Sequence, residues 1–238
     1  MSRVCVAIPL YKDKPSNREL QSLFQCRNVL NSFEMVLFCP ETFNPAIYSH
    51  IVADDIKRFP DHYFNSLNNY STLMLAPQFY KAFEEYEYIL IYQPDCWVFR
   101  DELNFWCDMD YDYIGAPFLN LDNYDSWKYR FVPGLRKFTA KVGNGGFTLR
   151  RVEKHFKCAH RYSFLNKFFR LNEDQFWSSF VSRLDKNYNV PDANIALRFA
   201  FDRLPKEAFE MNQKKLPFGC HAWPIYYNKF WHRYIKIL

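Results

Sequence analysis

In the first half of this 238-residue chain, short β-branched and apolar runs alternate with stretches of helical spacing, and this pattern restricts the fold more than any other feature of the sequence. Val4–Leu10 is the first such run, stopped by Pro9. Ser16 and Glu19 then form a capping box ahead of Leu20, Leu23, Phe24 and Leu30 at helical spacing. Glu34–Cys39 predicts a second buried strand, and His50–Val52 is a candidate third. Tyr70–Glu84 carries a helical pattern into Tyr86–Tyr92, the clearest strand of the chain. Such alternation implies an α/β fold with a mainly parallel central sheet, helices on both faces, and ligands bound beyond the carboxyl ends of the strands. Functional residues are therefore sought just after strands.

The second half is less regular. Tyr111–Ala116 reads as a strand, Asn120–Lys141 as a long aromatic and basic loop, Gly143–Leu149 as a glycine turn feeding a strand, and Arg150–His160 as a helix. Asn172 is placed to cap a helix whose apolar face is Phe176, Trp177, Phe180, Val181 and Leu184, and a further helix is expected from Asp192 to about Ala200. From Pro217 onward no period is visible. No repeat or Pro/Gly/Ser-rich linker divides the chain, so a single domain over 1–238 is expected.

The net charge of +5 is mild and interspersed, with no basic block, which argues against nucleic acid and for an anionic small ligand or an anionic membrane surface. Seven cysteines form no C-x-x-C pair, which suits reduced thiols and a cytoplasmic protein. No run approaches the ~20 apolar residues of a membrane span, and the N-terminal apolar run is too short for a signal peptide.

Three segments have the residue types for chemistry. The first is Tyr88–Phe99, where Asp95 follows a buried strand in Gln93-Pro94-Asp95; a carboxylate there suits ligand binding, or simply caps a turn. The second is Gly143-Asn144-Gly145-Gly146-Phe147, which holds three of the six glycines of the chain. Glycine permits close backbone approach by a ligand, although Asn-Gly is equally a hairpin signal. The third joins Asn172-Glu173-Asp174-Gln175 with Phe218-Gly219-Cys220-His221-Ala222-Trp223. Acids in a first helical turn favour the helix dipole, and a histidine among aromatics is more often packed than liganding.

Taken in order with Tyr113-Ile114-Gly115-Ala116-Pro117, these motifs resemble a family of GT-A type glycosyltransferase-like domains found in polysaccharide gene clusters. The resemblance runs from about Val4 to Trp223. It implies a nucleotide-sugar-binding half over about 1–118, an acceptor half over about 119–225, and a tail at 226–238. By this resemblance Pro9 and Tyr11 end the first strand and hold the nucleoside, while Asp54 or Asp55 reaches the base or ribose. Gln93 and Asp95 match the D-x-D motif, with a neutral amide at the first position, and His221 is a second protein ligand for Mn²⁺ or Mg²⁺. Arg150, Arg151, Lys214 and Lys215 are candidates to share the diphosphate charge.

The same resemblance makes Asp174 the catalytic base of an inverting transfer, with Glu173 as the alternative. Asn144, Gly145 and Gly146 would lie under the donor sugar, beside apolar faces from Phe147, Trp97 and Trp223. The expected reaction is transfer from a nucleotide-diphosphate donor, UDP-linked, to a saccharide or polyprenyl-linked saccharide acceptor. The tail Tyr226–Leu238 and the segment Ser163–Arg170 mix rings with basic residues and suggest peripheral attachment at the inner membrane face; packing on the domain or dimerisation is the alternative for the tail. Two rival functions are a sugar nucleotidyltransferase, disfavoured by the lack of glycine in Pro9–Lys14, and a non-catalytic nucleotide-sugar-binding relative, suggested by Gln93.

Overall fold

A computed structural model describes residues 2–48, 53–119, 142–169 and 171–237. The expected α/β architecture is present. The strands β1 (Ser2–Pro9), β2 (Glu34–Pro40), β3 (Asp55–Phe59), β4 (Tyr86–Tyr92), β6 (Tyr113–Gly115) and β7 (Phe147–Arg151) form one sheet in the order β3-β2-β1-β4-β7-β6. β3, β2, β1 and β4 are mutually parallel, and β7 runs antiparallel between β4 and β6. The chain moves outward from β1 to β2 and β3, then returns to place β4 on the other flank of β1. That reversal opens a crevice at the carboxyl ends of β1 and β4.

Alternating side chains of the central strands divide between two cores. Val4, Val6, Ile8, Leu90 and Tyr92 pack on one face with Leu23 and Cys26 of α1 (Asn17–Val29) and with Leu30 at its C-terminal cap. Cys5, Ala7, Ile89 and Ile91 pack on the other with Leu73 and Met74 of α2 (Leu67–Met74) and Phe79 of α3 (Pro77–Lys81). Both faces are covered, which explains why these strands read as continuous apolar runs. The capping box is formed as expected: Ser16 Oγ accepts from Glu19 N, and Ser16 N donates to Glu19 Oε2.

Several elements differ from expectation. The third strand lies at Asp55–Phe59, and the anticipated His50–Val52 run falls outside the described residues, as does the loop Asn120–Lys141. The Tyr70–Glu84 pattern is split into α2 and α3, because Pro77 has no N–H to continue a helix and sits in the first turn of the second. Asn172 occupies the cap position before Glu173–Gln175, but its side chain makes no capping hydrogen bond, and the chain continues as a π-helical turn over Phe176–Val181.

A second sheet has no counterpart in the sequence reading. Its strands are β5 (Trp97–Val98), β8 (Ala200–Phe201) and β9 (Gly219–Cys220), in the order β5-β9-β8, with β5 antiparallel and β8 parallel to β9. Behind it Trp97, Leu197, Phe201 and Trp223 form a third core, joined by Phe230, Trp231 and Ile235 of the tail. The tail is thus part of the packed domain and is not an interfacial helix with its rings at lipid level. The alternative, docking on the domain, holds. Arg18 reinforces it, donating to Pro224 O at 3.1 Å and lying over the Tyr227 ring. By contrast Phe164, Phe168 and Phe169 of the 163–169 segment are exposed. No helix among the described residues is long and apolar enough to cross a membrane, and all seven cysteines are free and buried.

Trp231 is fully buried in the third core. Trp231→Ala is therefore expected to cost about 3–5 kcal/mol, read as a lowered urea midpoint. A midpoint unchanged from wild type would mean that the tail does not dock.

Candidate active site at the crevice

Two short loops and two strand ends build the site. β4 ends at Tyr92, and Gln93 N donates to Gly146 O at 3.0 Å, which ties the turn after β4 to the glycine segment before β7. Asp95 lies two residues before the start of β5, His221 directly follows β9, and Asp202 directly follows β8. Because β5 runs antiparallel to β9 and β8 runs parallel to it, all three residues emerge at one edge of the small sheet, in the same order as the strands. His221 is the middle member. Its Nε2 lies 3.4 Å from Asp95 Oδ1 and 3.1 Å from Gln93 Oε1, and its Nδ1 lies 3.1 Å from Asp202 Oδ1.

The charges of this cluster are coupled. Burial alone disfavours an imidazolium, but hydrogen bonds to Asp202 and Asp95 outweigh it and push the His221 pKa up to about 10. Burial likewise would raise Asp95, yet the hydrogen bond and charge of His221 hold it below the usual carboxylate range, with Lys12 contributing at longer distance.

Gly145 and Gly146 separate this cluster from a second one. A Cβ on Gly146 would fall 2.3 Å from His221 Nε2 and 2.9 Å from Gln93 Oε1, and a Cβ on Gly145 would fall 1.8 Å from Glu173 Oε1. The two glycines give room to the side chains of Glu173, His221 and Gln93. Asn144 is also engaged within the protein: its Nδ2 donates to Asp202 Oδ2 at 2.7 Å, and its Oδ1 accepts from Gly146 N at 2.9 Å.

Beyond Gly145, Glu173 is held by Arg150, whose Nη2 donates to Oε1 at 3.2 Å and to Oε2 at 3.0 Å. Arg150 is fully buried, and it also donates to Tyr80 Oη and Thr148 Oγ1. Neither residue is free to meet a ligand, so Glu173 as an alternative base and Arg150 as a diphosphate contact are both corrected. The neighbouring Asp174 has no such cation. Burial and the charge of Glu173 push its pKa up to about 7, and Asp202 adds to the effect, which ties Asp174 electrostatically to the His221 cluster.

Other expected site residues separate by which end of the sheet they occupy. Pro9 and Tyr11 lie at the carboxyl end of β1, Pro9 buried and Tyr11 exposed, with the Tyr11 hydroxyl within reach of the charge of Asp95. Asp54 precedes β3 and therefore sits at the opposite edge, where its Oδ2 accepts from Met35 N at 2.8 Å and faces Arg27. Asp55 likewise begins β3 and pairs with Lys57. Neither reaches the crevice, and the cause is the strand boundary: the strand starts at Asp55, so both residues stand at its amino end and not beyond its carboxyl end. Arg151 ends the antiparallel β7 at that same far edge, bonded to Asp110 and Tyr88. Lys214 and Lys215 precede β9 where His221 follows it; Lys215 lines a separate concavity of about 1020 Å³ with Arg100, Trp106 and Arg198, away from Asp95 and His221.

Phe147 and Trp223 are fully buried and Trp97 nearly so; their rings pack in the cores and offer no face to a sugar. Two residues absent from the sequence reading belong at the site. Lys12, in the loop after β1, bonds Glu19 and is within electrostatic reach of Asp95; its place right after a strand was the available signal. Asp202 follows a two-residue strand that leaves no periodicity to read.

A divalent cation fits the donor atoms present. Two ligands of one cation, each at about 2.1 Å, lie about 3 Å apart at right angles, and Asp95 Oδ1 and Gln93 Oε1 approach His221 Nε2 at comparable distances. Among the described residues no three His, Cys, Asp or Glu side chains could hold a metal ion by themselves. A cation here would draw on two protein ligands and complete its shell from an amide, water or a bound anion.

No curated protein sequence matches the chain. Its fold is similar to that of several solved glycosyltransferases. A galactosyltransferase, LgtC, solved with donor and acceptor sugar analogues, aligns at TM-score 0.58 and 12% identity over 91% of this chain and 86% of that one. Mouse xyloside xylosyltransferase 1 aligns at TM-score 0.53 and 11% identity over 92% and 97%. Core-mannan synthase A from Aspergillus fumigatus, in an Mn/GDP form, aligns at TM-score 0.50 and 11% identity over 76% and 70%. The fold is accordingly of the GT-A type, with a mainly parallel central sheet flanked by helices. By its sequence, the chain belongs to the family described as protein of unknown function DUF5672, whose model matches residues 54–221.

Proposed function

We propose that the chain transfers a sugar from a nucleoside diphosphate donor, UDP-linked, to a hydroxyl of a saccharide or lipid-linked saccharide. The observation that carries this reading is the convergence of Gln93, Asp95 and His221 at the crevice between β1 and β4, with the buried Asp174 close enough to feel the charge of Asp202 in that cluster. The GT-A fold and neighbours solved with sugar analogues or with Mn and GDP support it.

In this reading Pro9 and Tyr11 border the nucleoside, and Asp95 and His221 hold Mn²⁺ or Mg²⁺, with Gln93 contributing a neutral oxygen. The cation would supply charge neutralisation for the departing diphosphate. Lys12 adds positive charge on the β1 side, in place of the four basic residues that lie elsewhere. Asp174 accepts the proton of the acceptor hydroxyl as its oxygen attacks the anomeric carbon. A carboxylate whose pKa stands near 7 is matched to that task at neutral pH, whereas Glu173, neutralised by Arg150, serves to fix the start of the helix.

Four outcomes test the reading. A base must be deprotonated, so kcat should rise as pH rises through about 7; Asp174→Asn should abolish that limb and lower kcat by about 10²- to 10⁴-fold. The anomeric configuration of the product, followed by NMR, should be inverted; retention would overturn the base role of Asp174. Glu173→Gln leaves Arg150 as a buried unpaired charge and should cost about 3–5 kcal/mol of stability, measured by urea denaturation, without removing the pH limb. Finally, UDP-sugar should raise the melting temperature in Mn²⁺ and lose most of that effect in EDTA or in His221→Ala. Binding of donor with no slow release of free nucleotide would instead support a non-catalytic protein.

A further inference from the structure

Asp202 is a buried carboxylate that the proposed transfer does not use, and among the described residues its ion-pair partner is the imidazole it faces. Both of its oxygens are committed. Oδ1 lies 3.1 Å from His221 Nδ1, and Oδ2 accepts from Asn144 Nδ2 at 2.7 Å, while Asn144 is itself anchored by Gly146 N. A carboxylate gripped at both oxygens has one orientation, and so has the ring it faces.

We propose that Asp202 is a positioning residue for the cation site: it accepts the Nδ1–H of His221, which leaves the lone pair of Nε2 directed at Asp95 and Gln93, where the cation binds. Asn144 sets the rotamer of Asp202. The Gly143–Gly146 segment therefore acts on the cation through hydrogen bonds: Gly146 N donates to Asn144, Asn144 donates to Asp202, and Asp202 accepts from His221. A histidine ligand whose second nitrogen is held by a carboxylate has a fixed tautomer and greater basicity, and loss of such a partner typically weakens metal affinity 10- to 100-fold. This inference rests on the cation reading above and extends it to a residue at the end of the neighbouring strand β8.

The test measures Mn²⁺ binding by electron paramagnetic resonance in the presence of UDP, for wild type, His221→Ala and Asp202→Asn. Asn at 202 keeps the size of the side chain but replaces one acceptor oxygen by a donor, so its Mn²⁺ affinity should fall about 10- to 100-fold. Asn144→Ala, which frees Asp202 without removing it, should cause a smaller loss. Equal Mn²⁺ affinity in Asp202→Asn and wild type, with binding lost in His221→Ala, would overturn the positioning role and leave the cation reading standing. Mn²⁺ binding absent from wild type would overturn both. A measurement on wild type alone guards against a variant that does not fold. In Mg²⁺ and UDP, ¹⁵N NMR should show His221 protonated at Nδ1 and bare at Nε2, and the opposite tautomer would overturn the proposal.

Discussion

The candidate site depends on one arrangement, an imidazole seated between two carboxylates at the edge of a three-stranded sheet. That seating follows from strand order. With β9 between β5 and β8, and the strand directions as they are, the residues bordering the three strands at one edge are Asp95, His221 and Asp202 in sequence across the sheet. Adjacent strands lie about 4.8 Å apart, so short side chains at neighbouring strand ends meet at hydrogen-bonding distance, as the 3.1 and 3.4 Å separations show. The sheet has two residues per strand and little intrinsic stability. It persists because Trp97, Phe201 and Trp223 behind it, with Trp231 from the tail, bury large apolar surfaces in the third core.

Adjacent acids in one helical turn meet different electrostatic surroundings, because Arg150 pairs with only one of them. Glu173 points toward Arg150 and is neutralised by it; Asp174, one residue on, receives burial and the negative charge of Glu173 with little relief. Burying an arginine in the first place requires that its donors be met, and Tyr80, Thr148 and Glu173 meet them. Arg150 thus lowers the cost of one acid and leaves the other poised near neutrality, a division of roles that environment, and not residue type, decides.

What was legible in the sequence is what periodicity and strong local chemistry can express. The strands β1, β2 and β4 are long, apolar and covered on both faces, and the Ser16–Glu19 box announces α1. Asp95 was legible because it follows such a strand. The weak run at 50–52 suggests a third strand ending before Asp54, whereas the strand lies at 55–59 and puts Asp54 at its amino end, the full length of the sheet away from the crevice. Asp202 was invisible for a related reason, since a two-residue strand has no period. The separate fates of Glu173 and Asp174 depend on Arg150, 23 residues away, and no local pattern encodes that pairing.

The aromatic richness of the chain has a structural cause that bears on the site. With 20% aromatic residues and six glycines, space is filled by rings almost everywhere, and rings cannot let two polar clusters approach a backbone closely. At Gly145 and Gly146 the side chains are missing where Glu173, Gln93 and His221 close in from opposite sides, with separations that any Cβ would violate. At Gly219 the same device admits the Phe147 ring under β9. Glycine in this chain is therefore concentrated where the large sheet, the small sheet and the 173–181 helical segment are pressed together, and the catalytic arrangement proposed above is possible only because those contacts are made by backbone.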